Sequence, residues 1–323
     1  MRIVFCGTPL FAVPTLKHLL AQTDFEIAAV FTQPDRPRGR GREVSFSPVK
    51  ETAIAAGVAV HQPEKIRAAE AQELLLEIAP DVIVIIAYGQ IIPARLLPIP
   101  RLGWINLHAS LLPKYRGAAP INWAIVNGET VTGATSMRID AGMDTGEILL
   151  QREMEIGPAE TAPELAARMS ELGPPLMAET LRGLAAGTIV PRAQAHENAS
   201  MAPMLKREDG RIDWRRPAQE IFNRIRGFAP WPGAFTSFRG QTCHIWGEPA
   251  SNDSDGSDGQ SLRPSAGVTP GTLLVQRGGL LVQCGGATYL RLTGVKVEGR
   301  KQVSAAEFMN GAHLHSGEHF GES

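Results

Sequence analysis

The stretch Val82-Ile83-Val84-Ile85-Ile86-Ala87 decides the fold, because an unbroken apolar run of strand length is typical of a strand buried on both faces of a sheet. Around it, apolar strand patterns at Arg2–Cys6 and Ile27–Phe31 alternate with helical patterns such as Pro48–Ala56, which Ser47 can cap. Strand–helix units of this length need crossover connections. The sequence therefore predicts an α/β domain with a doubly wound, mainly parallel sheet.

The chain changes character near residue 190. Residues 191–207 have mixed composition and are predicted to form a linker. Beyond them, short β-type runs are separated by Gly-rich turns, which is typical of a small β-barrel. We therefore predict a first domain over 1–190, a C-terminal β-barrel over 208–311 and a tail over 312–323.

Composition excludes several classes of protein. The 32 Lys and Arg residues balance 33 Asp and Glu residues, so a basic coat over the whole surface is excluded and only a local basic patch is left open. No apolar run reaches the roughly 18–20 residues that a membrane span needs. The N-terminus starts directly in a strand pattern, so we expect a cytoplasmic protein without a membrane partner. The 3 cysteines are far apart, which argues against a disulfide framework.

Candidate chemistry is concentrated between residues 106 and 144. Ligands of parallel sheets bind beyond the carboxyl ends of the strands, and Asn106 and His108 close one of the predicted strands. Because side chains alternate along a strand, both point to the same side and could hold a developing oxyanion. The loop Asp140–Gly146 follows another strand and offers carboxylates that could orient the histidine.

Simpler interpretations remain beside this one. An Asn-x-His pair at a strand end and aspartates in a Gly-bounded loop both occur for purely structural reasons. Ser110 as a nucleophile lacks a Gly-x-Ser-x-Gly elbow, and a dinucleotide site after Gly7 lacks the Gly-x-Gly-x-x-Gly spacing. His313, His315 and His319 form a possible metal cluster without a partner ligand, so we expect no metal.

Together, Asn106-x-His108, Ser110-Leu111-Leu112-Pro113 and the Asp-x-Gly-x-Asp144-Thr-Gly loop resemble the folate-dependent formyltransferases, which transfer a formyl group from 10-formyltetrahydrofolate to an amine. The resemblance implies a Rossmann-like catalytic domain and an OB-like C-terminal barrel. It assigns Asp144 to pairing with His108 and to managing the proton that the amine loses. It also implies that Ser110, Leu111, Leu112 and Pro113 face the folate, with Tyr88, Gly89 and Gln90 as a wall for its pterin ring.

Three further features are similar to the branch of that family whose acceptor is methionine carried by the charged initiator tRNA. They are the basic loop Gln33–Arg42, the segment Tyr115–Pro120, and Gly210–Trp214 with Pro230–Pro232. Residues 33–50 hold five basic against two acidic residues, a net of +3, and residues 206–239 hold eight against four, a net of +4. We therefore expect the arginines of the loop to bind RNA, the C-terminal barrel to assist, and the enzyme to act as a monomer. These arginines are Arg36, Arg38, Arg40 and Arg42.

Two rival functions stay open at this stage. A formyltransferase acting on a small molecule, either an amino sugar or a purine-pathway amine, would share the core motif but would not need the arginine loop. A catalytically silent tRNA-binding factor would need the loop but not the intact Asn106, His108 and Asp144 set. A transfer assay with charged initiator tRNA and a free amino sugar separates the three.

Overall fold

The computed structural model describes residues 1–38, 43–250, 269–276 and 279–321, with the backbone alone at residues 38, 43 and 44. The chain divides into two compact units. The first comprises Met1–Ile121, Val131–Ile156 and Glu164–Pro203, and the second comprises Asn122–Thr130, Gly157–Pro163 and Met204–Ser323. Most of the segment predicted to be a linker thus belongs to the first unit.

The first unit is built on a seven-stranded sheet with the order β5-β2-β1-β6-β7-β8-β9. Its strands are β1 (Arg2–Gly7), β2 (Glu26–Phe31), β5 (Val60–His61), β6 (Val82–Ile86), β7 (Trp104–His108), β8 (Val131–Arg138) and β9 (Ile148–Glu155); a separate hairpin pairs β3 (Arg36–Arg38) with β4 (Glu43–Ser45). The first five strands in this order, β5, β2, β1, β6 and β7, run parallel to one another. At the other edge, β8 pairs antiparallel with β7, and β9 pairs antiparallel with β8. The mainly parallel sheet is as predicted.

Helices cover both faces of this sheet. Those that lie wholly within the first unit are α1 (Val13–Leu20), α2 (Pro48–Ala55), α3 (Ala69–Ile78) and α6 (Gly173–Ala186), while α4 (Pro120–Val126) and α5 (Ala162–Ser170) each contain residues of both units. In β6, Val82, Val84 and Ile86 pack in one core with α1, α2 and α6. Ile83 and Ile85 pack on the other face with α3. Each fully buried side chain of this type contributes about 1.5–3 kcal/mol, which explains why the run carries no polar residue.

Local signals fix the ends of two helices. The Ser47 hydroxyl accepts a hydrogen bond from the Lys50 amide at 3.1 Å, so Ser47 caps α2 as predicted. Residues 161–186 have a helical pattern that Gly173, Pro174 and Pro175 interrupt, so the sequence is compatible with one helix or with two. The structure has two, and the second begins at Gly173 with its prolines in the first turn, where a missing amide hydrogen costs nothing.

The second unit contains an antiparallel sheet with the order β10-β11-β14-β13-β12, to which β15 adds at β14. Its elements are α7 (Ala218–Gly227), β10 (Phe235–Phe238), β11 (Gln241–Pro249), β12 (Leu273–Gln276), β13 (Gly279–Gln283), β14 (Tyr289–Val297), β15 (Val303–Ser304) and α8 (Ala305–Gly311). Phe320, from the segment predicted to be a tail, is buried against Trp214 and Phe238. The second, β-rich C-terminal domain is as predicted; its sheet is antiparallel, and the unit extends beyond residue 311.

No helix formed by the described residues has the length and hydropathy required to cross a membrane.

Candidate active site

The site is built at the carboxyl end of β7. Ile105 and Leu107 point into the core beneath α1 and α6, so Asn106 and His108 share the opposite side, as the strand period predicts. His108 is buried, and Asn106 is half-buried. Within the described residues the Asn106 amide has no hydrogen-bond partner, so its N–H donors are open to a ligand.

The two ring nitrogens of His108 have different roles. Nε2 lies 2.8 Å from the backbone oxygen of Tyr115. A carbonyl oxygen only accepts, so Nε2 carries a hydrogen and donates it there. Nδ1 faces the Asp144 carboxylate, with 3.7 Å between Nδ1 and Oδ2. Nδ1 is therefore the ring nitrogen that is left for a ligand or a proton, next to the carboxylate that the resemblance assigned to the ring.

The second aspartate of the loop is the one that reaches the histidine. Asp144 Oδ2 also accepts the Gly117 amide hydrogen at 2.8 Å, and the Asp144 backbone is left-handed, with φ of +51°. Aspartate tolerates this conformation better than most residues. Asp140 instead accepts hydrogen bonds from the Gly142 amide and the Thr145 hydroxyl, at 3.0 and 2.7 Å. Asp140 therefore shapes the loop, and Asp144 faces the His108 ring.

The segment that contacts both His108 and Asp144 is held by residues predicted to be a linker. The Arg116 amide donates to Ser200 O at 2.8 Å, and the Ala202 amide donates to Arg116 O at 2.6 Å. Gly117 has φ of +117°, and a Cβ there would lie 2.7 Å from Ala202 O. Only glycine fits at this position, so the backbone conformation and the close approach of Ala202 explain the glycine of the Tyr-Arg-Gly segment.

Gln194 is a site residue that sequence reasoning missed. It is buried, and its amide nitrogen donates to the backbone oxygens of Asp144 and Gly146 at 2.9 and 2.7 Å. Its side-chain oxygen accepts two hydrogen bonds from the buried Arg116 guanidinium. A lone glutamine in a polar segment has no sequence signature, so only the fold reveals this contact.

The loop predicted to face the folate is anchored to β8 and β9. The Ser110 hydroxyl is fully buried and donates to Lys114 O at 2.6 Å, while Thr135 donates to Ser110 O. Leu112 is buried in a small apolar cluster. Leu111 and Pro113 are half-buried, so these two side chains are the part of the loop that a ligand can reach.

The turn after β6 differs from the expected pterin wall. Tyr88 is 1% exposed and its ring packs in the core beneath α3, so its ring presents no surface to a ligand. The Gln90 side chain binds the Ile66 amide and Pro63 O. Gly89, with φ of +86°, is exposed. The surface of this turn is therefore formed by backbone and by Gly89 and not by the tyrosine ring.

The described part of the basic loop, up to Arg38, ends in the first strand of the hairpin formed by β3 and β4. Arg36 pairs with Ser45 across the hairpin, and its guanidinium is exposed near Glu64. Arg38 pairs with Glu43 along the backbone. Arg40 and Arg42 lie outside the described residues. The arginine-rich stretch therefore starts on a defined hairpin of the first unit.

An ion pair fixes the base of this hairpin. Asp35, just before β3, binds the Lys50 ammonium of α2, and both contact the Gln62 side chain. The Lys50 ammonium also lies 3.9 Å from the centre of the Phe46 ring. The Lys50 ammonium, and after it the Gln62 amide, hold the pKa of Asp35 below its usual range.

We expect Asp35→Asn to accelerate amide hydrogen exchange in the peptide covering β3 and β4 at neutral pH, because the variant loses its charged partner for Lys50. The lowered pKa of Asp35 means that the pair stabilises the hairpin above about pH 4 and is lost as pH falls through that pKa. Wild-type protection should therefore persist at pH 5.

Glu64→Gln is the matched control, because it removes an exposed pair at 3.5 Å, and such pairs contribute little. Equal exchange in wild type and Asp35→Asn would show that the ion pair does not hold the hairpin.

Other reactive groups are structural. Among the residues that the structure describes, no group of three His, Cys, Asp or Glu side chains is placed to hold a metal ion. His319 instead contacts the hydroxyls of Thr269 and Thr272. Burial raises the pKa of Cys243 to about 11 and that of Cys284 to about 12, so both thiols stay protonated at neutral pH.

Comparison with known proteins agrees with this geometry. Residues 1–181 match the family model described as formyl transferase, and residues 204–313 match the formyl transferase C-terminal domain. The chain is 52% identical to the methionyl-tRNA formyltransferase of Solibacter usitatus, over 100% of this chain and 99% of the relative. It is 51% identical to the protein of the same name from Acidobacterium capsulatum, over 96% of each.

Solved structures show the same fold at low identity. WlaRD, a sugar 3N-formyl transferase crystallised with dTDP and 5-N-formyl-THF, has a TM-score of 0.63 at 18% identity and covers 93% of this chain and 99% of its own. An N-formyltransferase from Helicobacter canadensis, solved with folinic acid and dTDP-3-aminofucose, has a TM-score of 0.63 at 19% identity and covers 90% and 99%. With both domain models matched and full-length relatives about half identical, the chain belongs to the methionyl-tRNA formyltransferases of the formyl transferase family.

Proposed function

We propose that this protein transfers the formyl group of 10-formyltetrahydrofolate to the α-amino group of methionine esterified to the initiator tRNA. One observation carries the chemistry: the open Asn106 amide, the His108 ring and the Asp144 carboxylate converge at the end of β7. The acceptor rests on the full-length relatives named methionyl-tRNA formyltransferase.

The geometry suits amine attack on a formyl carbon. A new C–N bond forms, the formyl oxygen becomes an oxyanion, and the bond to the folate nitrogen then breaks as that nitrogen takes up a proton. Donors fixed in advance stabilise the oxyanion more than the neutral formyl group. We assign this role to the Asn106 amide, joined by His108 Nδ1 once Nδ1 carries the proton that the amine loses. Asp144 orients the ring and favours the imidazolium that forms when the amine loses its proton.

The formyl donor supplies an already activated carbonyl, so this chain needs only to bind and orient it. A pterin is flat, with donor and acceptor edges that backbone groups can match. The turn after β6 offers an exposed Gly89 without a side chain and Ile91, which is 88% exposed. Together with the half-buried Leu111 and Pro113, this turn is our candidate folate surface.

The second unit contributes fewer free charges to RNA binding than its net charge predicts. Arg215, Arg216 and Arg239 pair with carboxylates, and Arg224 and Arg226 bind backbone oxygens. Lys206, Arg207 and Arg211 are exposed. We propose that these three, with the arginine hairpin of the first unit, bind tRNA phosphates. A monomer acting in the cytoplasm stays a prediction.

The test is an acceptor panel with 10-formyltetrahydrofolate as donor. Charged initiator tRNA, free methionine and a nucleotide-linked amino sugar are supplied separately, and the formylated product is identified by mass spectrometry. We expect formylmethionyl-tRNA as the main product. Efficient formylation of the amino sugar with tRNA left unchanged would favour the small-molecule rival, and no product with any acceptor would favour the tRNA-binding factor.

We expect the double variant Arg40→Ala/Arg42→Ala to weaken tRNA binding while sparing folate binding. Each lost phosphate contact reduces the log–log salt slope of binding by about 1. Affinity for tRNA, measured across a salt series beside folate affinity, checks this. Unchanged tRNA affinity and slope would leave RNA binding to the second unit.

A further inference from the structure

Gln194 is buried although both of its neighbours in the chain are exposed. Its side chain can make four hydrogen bonds, and all four are filled. Two go from its amide nitrogen to Asp144 O and Gly146 O, at 2.9 and 2.7 Å. Two come from Arg116 Nε and Nη2 to its oxygen, at 3.1 and 2.6 Å. A surface segment does not need such a contact, so the burial of this amide requires a reason.

This one amide joins the two segments that touch His108. On one side, Arg116 stands between Tyr115, whose carbonyl binds Nε2, and Gly117, whose amide binds the Asp144 carboxylate. On the other side, the bonded carbonyls flank the left-handed turn that aims Asp144 at Nδ1. Asp140 braces that turn from its N-terminal end only.

Arg116 makes the amide a stronger brace. Its guanidinium is buried, and its side-chain partners among the described residues are Gln194 and His196 Nδ1, both without negative charge. Hydrogen bonds from a charged donor polarise the amide that accepts them, which strengthens the N–H donors on its other end. A carboxylate at position 194 would still pair with Arg116, but it would place a negatively charged oxygen against the carbonyl oxygens of Asp144 and Gly146, with no hydrogen to donate to them.

We propose that Gln194 is a positioning residue that holds Asp144 in register with His108, and that Arg116 acts through it. This inference rests on the proposed function for its kinetic test. It predicts that Gln194→Leu lowers kcat about 10- to 100-fold, because small displacements of a catalytic group have effects of this size. The KM for the folate donor should stay unchanged.

A double-mutant cycle with Asp144→Asn separates positioning from general destabilisation. If Gln194 acts through Asp144, Gln194→Leu should reduce kcat by less than about 3-fold in the Asp144→Asn background. Independent, multiplicative losses would overturn the proposal. Gln194→Glu keeps the Arg116 contact and the side-chain volume, and it replaces Gln194→Leu in the cycle if the leucine variant does not fold.

Gln72→Leu is the matched control, because Gln72 also accepts from an arginine, Arg95 Nε at 2.9 Å, but on the exposed surface of the same unit. It should leave kcat unchanged. A second measurement does not depend on turnover: the ¹⁵N ring signals of His108, identified by His108→Gln. We expect these signals to shift in Gln194→Leu and to shift in the same direction in Asp144→Asn. Unchanged signals in Gln194→Leu would overturn the proposal. A wild-type protein that formylates no tRNA would refute the proposed function, but it would leave this measurement valid.

Discussion

His108→Ala should lower kcat for formyl transfer about 10²–10³-fold, the usual loss when one oxyanion donor is removed. The variant deletes the ring whose Nδ1 faces the Asp144 carboxylate, with 3.7 Å between Nδ1 and Oδ2. Asn106→Ala should lower kcat by a similar factor, because it removes amide donors that have no partner within the described residues. Steady-state kinetics with charged initiator tRNA measure both.

His18→Ala controls for loss of a partly buried histidine in the same unit. Circular dichroism and folate affinity should match the wild type in all three variants. Near-normal turnover in both His108→Ala and Asn106→Ala would remove the oxyanion role from this strand end.

Asp144→Asn should lower kcat by about 10²-fold or more, within the range that acid–base assistance contributes. The amide is nearly isosteric and can still accept the Gly117 hydrogen. It carries no charge to favour an imidazolium at His108. The loss should therefore fall on kcat and leave the melting temperature almost unchanged, which thermal unfolding beside the kinetics would show.

Asp140→Asn is the control from the same loop and should be mild. Its oxygen can still accept from the Gly142 amide and the Thr145 hydroxyl, which are the contacts that shape the turn. If Asp140→Asn were the more damaging variant, the carboxylate role would move to Asp140.

The parts of the fold that depend on side-chain period were predictable. The unbroken apolar run of β6 predicts a sheet that is covered on both faces, and the strand period of two places Asn106 and His108 on one side. Helix α7 was not predicted. Its buried residues Ile221 and Ile225 stand among Gln219, Glu220, Asn223, Arg224 and Arg226, so the helix lacks the apolar density of the helices in the first unit.

The candidate site was predictable where the residues form a motif, and not where folding alone brings them together. Asp144 was identified by resemblance. Gln194 lies 50 residues after it in the chain, within a segment that has no regular pattern. Tyr88 shows the opposite limit, because an aromatic residue after a buried strand can face a ligand or the core. Here the ring enters the core, and sequence period does not continue through the left-handed Ala87 and Gly89.

The charge argument for RNA binding also needed the structure. Net charge counts every arginine equally, but Arg226 is buried and bonded to Asn223 and to backbone oxygens. Such a residue stabilises the second unit, and because its guanidinium is buried, a phosphate cannot reach its charge. Within the residues that the structure describes, the exposed Lys206, Arg207 and Arg211 and the arginine hairpin are the groups that we propose for RNA binding.

Single-turnover transfer tests the central claim most directly. Excess enzyme is mixed with 10-formyltetrahydrofolate and methionyl-initiator-tRNA, and the aminoacyl group is followed by mass spectrometry after its release from the tRNA. The account predicts a formyl group on the methionine α-nitrogen, formed rapidly by the wild type and about 10²-fold more slowly by His108→Ala and Asp144→Asn. Methionine that stays unformylated with the wild type, or equal rates in all three proteins, would contradict it.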